Sequence, residues 1–314
     1  MSKMPKIGIH VAKISHVLRG TLKKRKTMLE AIQKDCKELK IDACQIFVQG
    51  PRNSKMSTMD YGAINKYCVE QNINLYVHSS YITVGIFSVN EDNKVTTKSQ
   101  NAIKSVTTQL DACDKLGAGG LVIHISKRTP QQIVDTFKVL APIVKHFKTP
   151  ILLEQPAKRP DDNLTYETPE KINNLTKLMK KELPKVNWGW CFDTAHLFSA
   201  GVEIDIPKVM RNWFDNLQYP EMVKLFHLNG LSIKDFNTGK DEHRVVFGFD
   251  DDIFGDDVWD DDKQIFEMTK IKKSSIYIMS KFAKKYNVDS ILEINRGNYQ
   301  DMMFAIDHIK KLFT

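Results

Sequence analysis

Short apolar segments alternate along the chain with longer segments whose apolar residues recur at helical spacing. Most of the short segments are continuously apolar, which is typical of strands buried on both faces of a parallel sheet. The pattern predicts eight strands, at residues 6–12, 43–49, 74–79, 119–126, 150–155, 186–194, 222–229 and 290–296. Each strand is followed by a predicted helix, at residues 21–39, 61–71, 98–116, 130–147, 169–181, 206–217, 271–286 and 299–313.

Eight strand–helix units in succession predict an α/β fold, a single (β/α)8 or TIM-barrel domain covering residues 1–314. A doubly wound open sheet is the alternative, but no Gly-rich phosphate loop follows the first strand after Ala12. The sequence shows no internal repeat, flexible linker or break in composition. Two connections are long, at residues 80–97 after the third strand and 230–270 after the seventh.

The composition excludes several classes of protein. Apolar residues make up 42% of the chain, enough for a substantial core. No apolar run approaches the roughly 18–20 residues that span a bilayer, and the N-terminus has no signal-peptide pattern. The five cysteines are scattered and form no CxxC pair. These features predict an intracellular protein, in the cytoplasm or nucleus, with reduced cysteines and no membrane partner. We expect the protein to be a monomer.

Charge is distributed unevenly along the chain. The formal net charge is +8, and residues 3–40 carry eleven Lys or Arg against three acidic residues. A basic balance favours a polyanionic partner, nucleic acid first, although a solvated basic helix surface explains the same bias equally well. Residues 249–262 contain eight aspartates without the residue order of a calcium loop. This segment predicts a solvated acidic loop or, alternatively, a negative flap that controls the access of a polyanion.

The predicted strand ends carry residue types that bind metal ions, and in a TIM barrel the active site lies at these ends. Several carboxylates converging on one place would be costly without cations. Imidazole with carboxylate favours zinc, with manganese or iron as alternatives, and nine ligands of this mix would serve two or three ions. Six successive strands end in His78, His124, Glu154, Asp193, His227 and Glu293, while His196, Asp241 and His243 lie in the loops beyond.

Several segments carry a family resemblance. The most specific is Phe-Asp-Thr-Ala-His-Leu-Phe-Ser-Ala-Gly at residues 192–201. Further matches are Ile-Gly-Ile-His-Val at 7–11, Val-His-Ser-Ser-Tyr at 77–81, Phe-His-Leu-Asn at 226–229 and Asp-Glu-His at 241–243. Over nearly the whole chain, these motifs resemble the endonuclease IV family, zinc-dependent apurinic/apyrimidinic (AP) endonucleases built on a (β/α)8 barrel.

The resemblance implies three zinc ions held by nine ligands, every one of them of the residue type the family requires. The first zinc would be held by His78, His124 and the bridging Glu154, the second by Glu154, Asp193, His227 and Glu293, and the third by His196, Asp241 and His243. The loops around these ligands depart from the family. Residues 155–160 are Gln-Pro-Ala-Lys-Arg-Pro where the family has Asn-Thr-Ala-Gly-Gln-Gly, which marks the chain as a divergent member.

The resemblance also implies an activity in DNA repair, hydrolysis of the phosphodiester 5′ to an abasic site in double-stranded DNA to leave a 3′-hydroxyl. Zinc lowers the pKa of bound water from about 16 towards 7, and Glu154 is the catalytic candidate that would orient or deprotonate this water. Arg52 matches the family's second-loop arginine, and Tyr81 matches its intercalating tyrosine. Charge and placement alone add further phosphate-contact candidates, which ordinary exposed loop charges explain as well: Lys127, Arg128, Lys158 and Arg159.

Two other functions remain open. A metal-dependent sugar isomerase or epimerase uses a Glu/Asp/His/Glu set on the same barrel, and four of the nine candidates would satisfy it. The other five would then have no role: His78, His124, His196, Asp241 and His243. A DNA-binding protein with a structural or decayed metal site is the third hypothesis. The altered loops favour it, and the complete ligand set argues against it.

Overall fold

Eight parallel strands close into a barrel in the computed structural model. The structure describes residues 4–15, 23–52, 55–87, 96–125, 128–157, 164–247, 252–254, 259–260, 265–266, 274–293 and 299–313. Neighbouring strands follow the chain order, and the first strand pairs with both the second and the eighth. The predicted (β/α)8 barrel is therefore confirmed. The strands are Ile7–His10 (β1), Ala43–Phe47 (β2), Asn74–His78 (β3), Leu121–His124 (β4), Ile151–Glu154 (β5), Trp188–Asp193 (β6), Val223–His227 (β7) and Asp289–Leu292 (β8).

Helices between the strands form the outer layer. They are Met28–Leu39 (α1), Tyr61–Glu70 (α2), Thr97–Leu116 (α3), Pro130–Val144 (α4), Pro169–Glu182 (α5), Thr194–Ser199 (α6), Pro207–Asp215 (α7), Ser275–Tyr286 (α8) and Tyr299–Phe313 (α9). Helices α1 to α5 each begin after a Thr or Asp whose side chain accepts the backbone N–H three residues on, which satisfies a donor that the first helical turn leaves unpaired. None of the helices within the described ranges combines the length and apolarity needed to cross a bilayer.

The predicted first helix, at residues 21–39, is wrong at its start. Lys23–Lys24 pair as a short antiparallel strand with Ile14–Ser15, and α1 begins only at Met28. The Thr27 hydroxyl accepts the Glu30 N–H at 3.1 Å, so this residue caps the helix. Lys23 and Lys24, which the helical pattern places in a helix, therefore pair with a segment that follows β1 instead.

One layer of apolar side chains fills the barrel interior. It consists of Ala43, Tyr76, Val122, Leu152, Cys191, Leu225 and Ile291. Below this layer, at the amino-terminal end of the strands, the Tyr76 hydroxyl donates to Asp289 at 2.9 Å, and the backbone N–H of Lys6 donates to the other oxygen of this carboxylate at 2.8 Å. These contacts occupy the amino-terminal end of the interior, and a site in a TIM barrel lies at the opposite end.

Candidate metal centre

The strand-end side chains point into the barrel mouth because of the two-residue period of a strand. Residues i and i+2 share one face, and a metal-ligand candidate stands two residues after each of six interior side chains. His78 follows Tyr76, and Glu154 follows Leu152. The apolar layer is therefore the floor of the candidate site. The same relation places His124, Asp193, His227 and Glu293 above Val122, Cys191, Leu225 and Ile291.

The first group of candidate ligands consists of His78, His124 and Glu154. Nε2 of His78 lies 3.2 Å from Nε2 of His124, and these atoms lie 3.4 and 3.1 Å from Oε2 of Glu154. Ligand atoms around a tetrahedral zinc lie about 3.3 Å apart, because each zinc–ligand bond is about 2 Å long. Nδ1 of His78 donates to the carbonyl of Ser79 at 2.8 Å, which leaves Nε2 as the nitrogen with a lone pair.

The second group shares Glu154 with the first. Oε1 of Glu154 lies 3.0 Å from Nδ1 of His227, which is 3.2 Å from Oε2 of Glu293 and 3.9 Å from Oδ2 of Asp193. The ligand atoms of these four residues all lie within 4.8 Å of one another. One carboxylate thus turns one oxygen to each group, as a bridging ligand between two cations does.

The third group combines Asp193, His196 and His243, whose ligand atoms also lie within 4.8 Å of one another. Oδ1 of Asp241 lies 3.2 and 3.1 Å from the Nε2 atoms of these two histidines, although the Asp241 side chain is 53% exposed. Oδ2 of Asp193 is 3.5 Å from Nε2 of His243. Asp193 therefore reaches both the second and the third group, whereas the resemblance assigned it to the second alone.

The carboxylates of the third group keep protons on the imidazoles of His196 and His243 when no cation is bound. Burial opposes the charged imidazole, but the charge of Asp193 and the hydrogen bond to Asp241 outweigh it and raise the pKa of His196 to about 10. The same balance raises the pKa of His243 to about 8. In return, the two histidines hold the pKa of Asp241 far below its usual range. A metal ion that binds here must displace these protons, so its affinity increases with pH.

The long connection after β7 returns to the site through a short antiparallel contact. The backbone of Gly230 pairs with that of Arg244, with N–H to carbonyl distances of 3.0 and 2.9 Å. A Cβ atom on Gly230 would lie 1.9 Å from Oδ2 of Asp252 and 3.2 Å from the carbonyl oxygen of Val245, so a larger residue there requires the Asp252 side chain or the backbone to shift. This contact places residues 241–243 over the barrel mouth, which is how a loop supplies ligands to the third group.

Four polar residues that the sequence-based site did not include support the ligands from outside the groups. The Asn229 side chain donates to Oδ2 of Asp193 at 2.6 Å and accepts the Glu293 N–H at 2.7 Å. The Gln155 carbonyl accepts from Nδ1 of His196 at 2.9 Å. Thr194 and Gln45 complete the set, and all four are buried. The only local signal for Gln45 is that it is a polar residue within the predicted apolar strand at residues 43–49.

The predicted DNA contacts lie on different parts of the rim. Tyr81 is 46% exposed, and its ring centroid lies 5.5 and 5.9 Å from those of His124 and His78. Arg52 is exposed in the turn after β2. Arg128 precedes α4, and its carbonyl accepts from the Tyr166 hydroxyl. The remaining three candidates lie outside the described residues: Lys127, Lys158 and Arg159.

The acidic segment is described only in part. Asp252 is buried, and its Oδ1 accepts the N–H of Phe254 at 3.0 Å, so this aspartate is an internal anchor rather than part of a solvated loop. Trp259–Asp260 pair with Ile265–Phe266 as a two-stranded antiparallel ribbon. The other six aspartates of residues 249–262 lie outside the described residues.

The imidazole and carboxylate ligands of the three groups suit divalent metal ions of hard or borderline character. Imidazole nitrogen and carboxylate oxygen are the ligands that zinc, manganese and iron share, and no cysteine belongs to any of the three groups. The groups lie on adjoining strand ends and share Glu154 and Asp193. Fold and site together define a TIM-barrel protein with a candidate multinuclear metal centre at the carboxyl ends of its strands.

Comparison with known proteins identifies the family. Residues 33–273 match the model of the xylose isomerase-like TIM barrel family, and the chain belongs to this family. A probable AP endonuclease of African swine fever virus is 25% identical over 273 residues, which cover 84% of this chain and 82% of the relative. Proteins described as probable endonuclease 4, among them one of Mycoplasma genitalium, are also similar. The resemblance to the endonuclease IV family is thereby confirmed, at low identity.

Solved structures share the fold. The structure described as AsfvAP:AG has a TM-score of 0.76 at 22% identity and covers 99% of this chain and 100% of its own. Endonuclease IV from Thermus thermophilus has a TM-score of 0.68 at 18% identity and covers 98% of both chains. Sugar epimerases have this fold too, so the barrel alone does not separate the two functions.

Proposed function

We propose that this protein is a metal-dependent AP endonuclease that hydrolyses the phosphodiester 5′ to an abasic site in double-stranded DNA and leaves a 3′-hydroxyl. The observation that carries the proposal is the set of three candidate ligand groups joined through Glu154 and Asp193. The relatives described as AP endonucleases support it. The protein would act as a monomer, in the cytoplasm or nucleus where DNA is found.

Zinc is the metal that this ligand set favours, with three ions per chain and manganese as a substitute. Nine residues would hold the three ions: His78, His124, Glu154, Asp193, His196, His227, Asp241, His243 and Glu293. When bound, zinc supplies positive charge against the phosphate oxygens and lowers the pKa of water to about 7. The fit rests on ligand atoms that already lie 3.1 to 3.4 Å apart in the first group and 3.0 to 3.9 Å from Nδ1 of His227 in the second.

The protein's own groups would position the reactants. Glu154 is fully buried between the first two groups, so its carboxylate can orient the attacking water and accept a proton from it. Tyr81 stands at the rim with nearly half its surface exposed, next to two ligand rings, where an aromatic side chain can stack on the bases around the lesion. Arg52 and Arg128 would contact phosphates of the bent duplex.

The second candidate function is a sugar isomerase or epimerase. It is favoured by the second group, in which Glu154, Asp193, His227 and Glu293 form a Glu/Asp/His/Glu set, and by the fold that sugar epimerases share. The first and third groups argue against it, because an epimerase of this kind has no use for the five further ligands. The net charge of +8 also favours a polyanionic substrate.

Cleavage of a defined oligonucleotide tests the proposal. A labelled duplex with a single tetrahydrofuran abasic analogue is incubated with zinc-loaded protein, with protein after prolonged chelation, and with chelated protein to which zinc is restored. We expect one cut 5′ to the analogue, loss after chelation and recovery with zinc. No cleavage by the zinc-loaded protein, or cleavage that survives chelation, overturns the proposal. Isomerisation of ketohexoses by the same preparation would instead favour the epimerase.

A further inference from the structure

Gln45 lies beneath the second ligand group without belonging to it. Its side chain is fully buried on β2, two residues after Ala43 of the interior layer, and therefore points into the barrel. Nε2 of Gln45 lies 2.5 Å from Oε1 of Glu293 and 3.1 Å from Nδ1 of His10. Oε1 of Gln45 lies 3.0 Å from Nε2 of His227. A single amide thus contacts two candidate ligands and one further histidine.

The chemistry of these partners permits only one orientation of the amide. A carboxylate oxygen only accepts, so the NH2 group must face Glu293. The carbonyl oxygen then faces His227 and requires a proton on its Nε2. The second amide hydrogen is directed at Nδ1 of His10, which must accept. The amide is held at three points and cannot rotate without losing all of them.

This orientation selects the ligand atoms of the second group. With its proton on Nε2, His227 presents a lone pair on Nδ1, the nitrogen that lies 3.0 Å from Glu154 and 3.2 Å from Oε2 of Glu293. With Oε1 of Glu293 held by the amide, Oε2 is the oxygen left for a cation. We propose that Gln45 is a positioning residue that selects both donor atoms and so sets the metal affinity of the second group.

The inference rests on the proposed function only in taking the second group as a metal site. Partners that orient metal ligands from outside typically contribute roughly 10- to 100-fold in affinity. Gln45→Met removes all three contacts of the amide at similar volume. Gln45→Glu keeps an acceptor for His227, loses the donor to Glu293 and adds a like charge beside it. Gln109→Met is the matched control, because this amide is equally buried and bonds Ser80 and Ser105 rather than a candidate ligand.

The experiment measures zinc per chain by elemental analysis across a series of chelators of increasing strength. We expect both Gln45 variants to lose one zinc to chelators whose zinc affinity is roughly 10- to 100-fold lower than that needed to remove it from the wild type. The effect should be larger in Gln45→Glu than in Gln45→Met. Gln109→Met should retain its zinc as the wild type does. Nitrogen-15 NMR of the zinc-loaded wild type should show His227 protonated on Nε2 and His10 unprotonated on Nδ1. If Gln45→Met fails to fold, the Gln45→Glu titration and the NMR assignment still decide.

Unchanged zinc retention in the folded Gln45 variants overturns the inference, and so does protonation of His227 on Nδ1. If zinc retention depends on Gln45 but the zinc-loaded protein does not cut abasic DNA, the proposed nuclease activity is wrong and the inference about Gln45 still holds.

Discussion

Oε1 of Glu154 lies 3.0 Å from Nδ1 of His227, at the junction of two candidate ligand groups. Burial disfavours the carboxylate, but His124 and His227 more than compensate and hold the pKa of Glu154 well below its usual range. The group is therefore an anion at neutral pH. This buried carboxylate turns one oxygen to each of the two groups.

Replacing Glu154 by glutamine should slow cleavage strongly while duplex binding persists. The amide keeps the shape but cannot take a proton or bridge two cations through two anionic oxygens. We expect a loss on the order of 10³-fold in the cleavage rate, measured on the abasic oligonucleotide, with binding followed by fluorescence anisotropy. Glu221→Gln, at an exposed pair with Lys180, is the control and should leave both quantities unchanged. Substantial cleavage by Glu154→Gln would contradict the catalytic role.

Chelated protein should become less stable as the pH increases from 6.5 to 9.5. The folded-state pKa values of His243 and His196, about 8 and about 10, lie above the value of about 6.5 for an unfolded chain. Their contribution to stability is therefore complete below pH 6.5 and is lost as the pH rises through 8 and then 10. Thermal unfolding in chelator at several pH values measures this slope.

His243→Gln should show a smaller slope between pH 7 and 9, since it removes the histidine whose folded-state pKa of about 8 lies in this range. His146→Gln, at an exposed histidine after α4, should keep the wild-type slope. Zinc-loaded protein should show the reverse trend, because protons compete with the metal and its affinity increases with pH. A chelated protein whose midpoint stays constant over this range would show that the imidazole–carboxylate pairs do not form.

Replacing Tyr81 by alanine should weaken binding to abasic duplex by roughly 10-fold, the effect of losing one aromatic stacking contact. Tyr81→Phe keeps the ring and serves as the matched control, with an affinity close to that of the wild type. Anisotropy titrations against abasic and intact duplexes measure both. Equal affinities for all three proteins would place the ring outside the DNA interface.

Replacing Gly230 by alanine should destabilise the protein by about 1–3 kcal/mol through overpacking. The new Cβ would lie 1.9 Å from Oδ2 of Asp252, whose carboxylate is held by the N–H of Phe254. The displaced backbone would also shift residues 241–243, so weaker zinc retention should accompany the loss of stability.

Gly62→Ala, in α2, is the control, because the added Cβ would lie no closer than 3.6 Å to any neighbouring atom. That change should stabilise the protein by about 0.5–1 kcal/mol, since alanine costs less entropy in a helix. Denaturant unfolding distinguishes the two, and a neutral Gly230→Ala would contradict the packing argument.

The repeated alternation of apolar strands and amphipathic helices was sufficient to predict the barrel, since burial on both faces requires continuously apolar strands. It also placed His78 and Glu154 at strand ends, because the end of an apolar run is visible in the sequence. The start of α1 was harder to locate. Helical spacing continues through Lys23 and Lys24, and only pairing with Ile14–Ser15 excludes these residues from the helix.

Contacts between distant segments were decided by the tertiary structure alone. Asp193 reaches two ligand groups because β6 and the loop after β7 meet above the floor of the barrel, and no local pattern encodes that distance. The role of Gln45 is likewise visible only in the tertiary structure. In the sequence it is a polar residue in an apolar strand, and closure of the barrel places its amide next to His227 and Glu293. The sequence determined which residue types stand at the strand ends, through local periodicity. Only closure of the barrel decided which atoms face one another, because those distances depend on strands that are far apart in the chain.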